Sequence, residues 1–288
     1  MYLGTPALAV PTLDALVTAG YEIPLVVTGG DARRSRRGDP EPSAVKAAAR
    51  AHGIEVSHDV REVVGVGADL GVVVAFGRII PTSVLDVLPM VNLHFSLLPR
   101  WRGAAPVERA LLAGDTHTGV CVMDVAEALD EGDVYACAEV TIGPDATLES
   151  LRAELVALGT DALSTGLREG FGPPVPQVGE VTYAAKITTE DRHLDFSASS
   201  ETVRRIVAVG GAWTTFRGKR FKVHAVRVVG GPGGEPGMID VTGNGGPTVA
   251  TGDGRIELVE VQPENKATMH ATDWVRGARL APGDRLGS

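Results

Sequence analysis

Cysteine is scarce in this sequence, with only Cys121 and Cys137 among 288 residues. Two thiols make no disulfide framework, and their spacing matches no zinc site. Both lie in valine-rich surroundings, where the expectation is ordinary buried thiols. Long apolar runs are missing too; none reaches the ~18 residues of a membrane helix. The opening MYLGTPALAV lacks the basic segment and extended apolar core of a secretion signal, so the chain reads as soluble and cytoplasmic. There is no internal repeat and no heptad run. Positive charge is also in deficit, 27 Lys and Arg against 36 Asp and Glu, which argues against a general nucleic-acid coat. That deficit is uneven. Residues 1–200 carry 15 basic and 27 acidic side chains, whereas residues 201–288 carry 12 and 9. A basic tail behind an acidic body points to an anionic partner for the tail.

What is present fits a globular chain, with 44% hydrophobic and 22% charged residues. Apolar strand candidates alternate with helix candidates through the first part. Strands are expected at Tyr2-Leu3-Gly4, Ile23 to Thr28, Ile54 to Val56, Leu70 to Phe76 and Met90 to Phe95. Helices are expected from Pro11 to Ala19, from Ser43 to His52, from Pro81 to Leu88 and from Pro106 to Ala113. Ser43 reads as an N-cap and Gly53 as the stop behind that helix. Unbroken β-branched runs separated by helices predict a parallel sheet covered on both faces. From about residue 199 the pattern becomes one helix, Thr202 to Val209, followed by short alternating segments with glycine-rich breaks, which predicts a small antiparallel barrel. The expected division is a catalytic domain over 1–176, a linker over 177–198 and a second domain over 199–288.

Ligands of open parallel sheets bind at the carboxyl ends of the strands. The segment NLHFSLLPRWRG (Asn92 to Gly103) ends one such strand. Residues i and i+2 of a strand share a face, so Asn92 and His94 project together. An amide donor beside an imidazole suits an oxyanion forming on a tetrahedral carbon. In isolation, N-x-H more often serves a turn. Downstream, the acidic stretch Asp124 to Asp133 precedes a strand from Val134 to Val140. A carboxylate there would orient His94 and help relay a proton. Composition does not separate Asp130 from Asp133.

The long segment NLHFSLLPRWRGAAPVERALLAGDTHTG, followed by ALDEGDV, resembles the folate-dependent formyltransferases. Their motif N-x-H-x-S-L-L-P-x-[WY]-R-G precedes a catalytic aspartate in an L-D-x-G loop, which selects Asp130. The likeness extends to GTPALAVPTLDAL, VVVAFGRIIP, TYAAKIT and GAWTTFRGKR. It implies a Rossmann-like, mostly parallel sheet followed by a smaller OB-like β-barrel. The implied reaction moves a formyl group from 10-formyltetrahydrofolate to the α-amine of methionyl initiator tRNA, with Asn92, His94 and Asp130 catalytic and no metal. Ser96, Leu97, Leu98 and Pro99 match the folate-lining segment, and Arg78 and Ile80 fall in the stretch around the pterin. In RRSRRGD, Arg36 best matches the family's tRNA-contacting arginine, with Arg37 as a substitute. Arg217, Lys219 and Arg220 are expected to hold the tRNA body. A monomer is expected.

Two departures stand out. Only Met1-Tyr2-Leu3 precedes Gly4-Thr5-Pro6, where the family has several more residues, so the first strand is shortened or the start lies upstream. Asp39 and Glu41 replace the loop's usual lysine and glycine. A formyltransferase acting on a sugar amine does not account for an arginine loop combined with a basic tail. A catalytically idle tRNA-binding module does not account for an intact Asn92, His94 and Asp130.

Overall fold

A computed structural model describes residues 1–33, 38–241 and 246–288. Arg36 and Arg37 lie outside the described residues. The chain divides into two compact units. The first comprises Met1–Val107, Thr116–Ile142 and Glu149–Ala185; the second comprises Glu108–Asp115, Gly143–Leu148 and Lys186–Ser288.

The first unit is built on a seven-stranded sheet. Its strands are β1 (Tyr2–Gly4), β2 (Val26–Val27), β3 (Val56–Ser57), β4 (Gly71–Val74), β5 (Met90–His94), β6 (His117–Asp124) and β7 (Val134–Thr141). Their spatial order is β7-β6-β5-β4-β1-β2-β3. The five strands from β3 to β5 run parallel, as their unbroken apolar runs require, and β6 and β7 add an antiparallel edge. Strand β1 is central and fully buried although only three residues long. Strand β2 is shorter than its sequence implies because Pro24 cannot donate to the ladder.

Helices cover both faces. Leu3, Val27 and Val73 are cross-strand neighbours and pack with Val60, Val63, Phe76, Ile80, Val84 and Leu88. Helix α1 (Val10–Thr18) and helix α5 (Leu148–Glu169) meet through a buried hydrogen bond between Thr12 and Thr160. In α5 the buried residues Leu151, Leu155, Val156, Gly159 and Leu163 follow helical spacing. At Gly159 a Cβ would come within 2.8 Å of Val120, so the missing side chain lets the helix approach the sheet. Sequence reading had no helix here. Helix α2 (Ala44–Ala51) begins as expected, with Ser43 accepting from the Lys46 amide, and stops before Gly53 at φ +72. Between them lie α3 (Thr82–Leu85) and α4 (Pro106–Ala113).

The expectation of free thiols is overturned: Cys121 and Cys137 form a disulfide. They are directly opposed on β6 and β7, with Cα atoms 4.1 Å apart. Neighbouring antiparallel strands bring opposed side chains within bonding reach, and spacing along the chain carries no such information.

The second unit holds α6 (Ser200–Val209), capped by Ser199, and α7 (Ala271–Ala278). Its strands are β8 (Trp213–Phe216), β9 (Lys219–Val229), β10 (Ile239–Asp240), β11 (Thr248–Ala250), β12 (Arg255–Pro263) and β13 (Met269–His270). They order as β8-β9-β12-β11-β10, with β13 beside β12. The last segment closes this sheet into a barrel. Ile239 donates to the Asp284 carbonyl on one side, and Gly287 donates to Thr215 on the other. Phe221, Trp274, Ile256, Leu258 and Leu286 fill the interior, with the Phe221 and Trp274 rings 4.7 Å apart. Arg109, in α4, holds Asp191 through two hydrogen bonds of 2.8 and 3.2 Å.

Candidate active site

The order of the parallel strands reverses between β1 and β4, and ligand crevices of such sheets open at that point, beyond the carboxyl ends. Strand β5 delivers its polar residues to the same edge. Leu93 faces α5, so Asn92 and His94 emerge on the opposite face. Asn92 is half-buried, and its side-chain amide has no hydrogen-bond partner among the described residues.

His94 is buried, at 5% exposure, and both of its ring nitrogens face acceptors. Nε2 donates to the Trp101 carbonyl at 2.9 Å; a carbonyl can only accept, so this nitrogen carries the proton. Nδ1 stands 3.5 Å from Oδ2 of Asp130, whose side chain is 12% exposed. That separation is too long for a settled hydrogen bond and leaves Nδ1 able to engage a substrate atom. Asp130 Oδ2 also accepts from the Gly103 amide at 2.7 Å. Asp130 itself has φ +54, a left-handed conformation that side chains other than glycine rarely adopt. Two residues on, a Cβ at Gly132 would collide with the Asp124 carbonyl, so the loop closes only with glycine there.

Three consecutive residues strap the pair together. The Trp101 carbonyl holds the imidazole, and the Gly103 amide holds the carboxylate. Between them Arg102, buried, sends NH1 to Glu131 at 2.8 Å and its Nε and NH2 to Gln177 at 3.1 and 2.8 Å. The strap is fixed in turn by a short parallel pairing of Arg102–Gly103 with Tyr183–Ala184. Sequence reasoning assigned nothing to Arg102, Gly103, Glu131 or Gln177. The W-R-G of the motif was the available signal for the first two.

The remaining candidates divide. Ser96 is fully buried and its hydroxyl donates to the Arg100 carbonyl at 2.6 Å, which closes a turn. Leu97 and Leu98 are half-buried beside buried Pro99. Ile80 packs in the apolar core, whereas Arg78 is exposed and donates to the His58 carbonyl at 2.7 Å. In the barrel, Arg217 is committed internally. It grips Asp284 at 3.1 and 2.6 Å and reaches the carbonyls of Ala278 and Arg279. Lys219 and Arg220 are exposed, and the Arg220 guanidinium lies over Trp213 at 4.5 Å from the ring centre. Arg220 and Lys222 line a groove with Gln262, Pro263, Glu264 and Asn265. Among the described residues no cluster of His, Cys, Asp and Glu fits a metal ion.

Residues 4–167 match the family model described as formyl transferase, and residues 186–279 match that of the formyl transferase C-terminal domain. A methionyl-tRNA formyltransferase of Symbiobacterium thermophilum is 42% identical over 99% of this chain and 94% of its own length. The protein of that name from Thermus thermophilus is 42% identical, covering 99% and 98%. That from Streptomyces coelicolor is 40% identical, covering 100% and 99%. Among solved structures, an N-formyltransferase of Helicobacter canadensis with folinic acid and dTDP-3-aminofucose superposes with TM-score 0.65 at 14% identity, over 89% of this chain and 97% of that one. The Clostridium thermocellum methionyl-tRNA formyltransferase gives TM-score 0.53 at 16% identity, over 72% and 86%. These structural likenesses speak for the fold, and the two family matches with the full-length relatives speak for descent: the chain belongs to the formyl transferase family.

Proposed function

We propose that this chain transfers the formyl group of 10-formyltetrahydrofolate to the α-amine of methionyl initiator tRNA. Relatives about 40% identical over nearly their whole length carry that activity in their names, which supports the reading. The observation that carries the chemistry is the convergence of a buried imidazole and a half-buried carboxylate, 3.5 Å apart, at the end of the strand that carries Asn92, whose amide has no hydrogen-bond partner among the described residues.

The methionyl nitrogen attacks the formyl carbon, and the carbonyl electron pair moves onto oxygen. The Asn92 amide and the Nδ1–H of His94 in its doubly protonated form, with the Asp130 carboxylate as counter-ion, donate to that oxyanion, and donors of this kind are worth roughly 2.7–4 kcal/mol each. Trp101 keeps Nε2 protonated and fixes the ring, so Nδ1 is the nitrogen presented to substrate. The His94–Asp130 pair takes the proton lost by the attacking nitrogen and returns it to N10 of the folate. The bond from carbon to N10 then breaks, giving the formamide and tetrahydrofolate. Acid–base assistance of this type contributes about 10²–10⁴ in rate.

Leu97, Leu98 and Pro99 are the proposed apolar lining for the folate, with Arg78 at the rim. For the tRNA, Arg36 or Arg37 meets the acceptor end, and Lys219 and Arg220 meet phosphates. Arg217 is left out because Asp284 occupies it. The test is formation of formyl-methionine by purified chain given 10-formyltetrahydrofolate and methionine-charged initiator tRNA. Formylation of the charged tRNA supports the reading; transfer to an amino sugar with none to the tRNA refutes it.

A further inference from the structure

Gln177 lies in the stretch that sequence reading treats as linker, yet its amide makes four hydrogen bonds around the catalytic loop. Nε2 donates to the Asp130 carbonyl at 2.9 Å and to the Gly132 carbonyl at 2.8 Å. Oε1 accepts from Arg102 Nε at 3.1 Å and NH2 at 2.8 Å. Arginine can only donate and backbone carbonyls can only accept, so the amide has one workable orientation and all of its capacity is used. The carbonyls it holds bracket Glu131, which is itself tied to Arg102. Asp130 between them has the left-handed backbone at φ +54, a conformation that persists where its surroundings over-determine it. The Arg102 end of the same network continues into Gly103, whose amide holds the Asp130 carboxylate.

From this geometry we infer that Gln177 is a positioning residue for formyl transfer: it fixes the backbone on both sides of Glu131 and so sets the Asp130 carboxylate against His94. The inference rests on the proposed roles of Asp130 and His94. Asparagine is one methylene shorter and cannot span from Arg102 to both carbonyls. Glutamate keeps both contacts to Arg102 but turns an oxygen towards the two carbonyls in place of the N–H groups.

The experiment measures kcat, KM for both substrates and thermal stability for Gln177→Ala, Gln177→Glu, Asp130→Asn and Gln177→Ala/Asp130→Asn. A displacement near 1 Å at a reacting group costs up to about 10²-fold. Gln177→Ala and Gln177→Glu are therefore expected to lower kcat about 10- to 100-fold with both KM values within about 3-fold of wild type. Gln177→Glu keeps both hydrogen bonds from Arg102 and adds a charge to them, which offsets the lost N–H contacts, so its stability holds while its rate falls, a separation that a merely structural role would not give. In the Asp130→Asn background, Gln177→Ala is expected to add less than about 3-fold, because it acts through that carboxylate. If the losses multiply, or if the rate of Gln177→Glu is unchanged, the inference is overturned while the proposed function stands. If Asp130→Asn itself keeps the wild-type rate, the assigned mechanism falls as well.

Discussion

The two units hold their polar side chains in opposite ways. In the first, His94 is buried and Asp130 half-buried, and each is gripped by backbone of the strap from Trp101 to Gly103. In the second, Lys219 and Arg220 stand exposed, and Arg220 is steadied by the Trp213 ring. Chemistry at one carbon tolerates little displacement, so its groups are fixed by hydrogen bonds that do not move with solvent. Attraction to a polyanion acts over several ångströms and needs charge at the surface rather than fixed geometry. The charge balance leans the same way: the first unit carries a net −9 and the second is neutral, with its basic excess confined to residues 201–288 at +3.

The comparison can be broken by substitutions whose effects should stay within one unit. The largest is His94→Ala, which should lower kcat about 10³-fold, within the usual range for acid–base groups, while tRNA affinity measured by filter binding stays within about 2-fold. A parallel loss of affinity would mean that the first unit's polar cluster also binds. Asn92→Ala should cost about 10²- to 10³-fold in kcat with little change in KM, as expected for a donor that acts in the transition state. A rise in KM alone would show that the amide holds the ground state.

A smaller effect concerns the ion pair of the second unit. Arg109, then Thr188, holds the Asp191 carboxyl down to about 2. A depressed folded-state value means that the stabilisation is full above the ordinary carboxylate range near 4 and is lost as pH falls from about 4 to 2. The side chain is about one-fifth exposed, so at most about 2 kcal/mol is at stake. Urea denaturation from pH 5 to 2.5 should show wild type losing this increment and Asp191→Asn lacking it; identical slopes would remove the pair from the account. The smallest effect is expected for Lys219→Ala and Arg220→Ala. Each should weaken tRNA binding a few-fold and reduce the slope of log K against log salt by about 0.7–0.9, with kcat at saturating tRNA unchanged. An unchanged slope would leave the barrel's exposed cations without a nucleic-acid role.

Much of the fold is legible in the sequence because its signals are local. A valine run marks β4 and an apolar segment ahead of the N-x-H motif marks β5, Ser43 and Gly53 bound α2, and glycine breaks mark the barrel strands. Helix α5 escaped notice because glycine and threonine at positions 159 and 160 take the place of large apolar residues where the helix meets the sheet. The disulfide was missed for a related reason: the pairing of β6 with β7 exists only in three dimensions. At the site, strand alternation placed Asn92 and His94 on one face, and the motif singled out Asp130, now seen 3.5 Å from the imidazole. Ser96 carried the same motif signal, and its hydroxyl closes a turn, a contact that no pattern shows. Gln177 gave no local signal at all. Its four partners come from residues at least 45 positions away, so only folding reveals it.

The central claim is that His94 and Asp130 act as one unit on the formyl carbon. A double-mutant cycle on single-turnover formylation, using His94→Ala, Asp130→Asn and the pair combined, addresses it most directly. Cooperation predicts that the combined variant is no slower than the slower single variant, within about 3-fold. Losses that multiply across the two positions would contradict it and assign the two side chains to separate tasks.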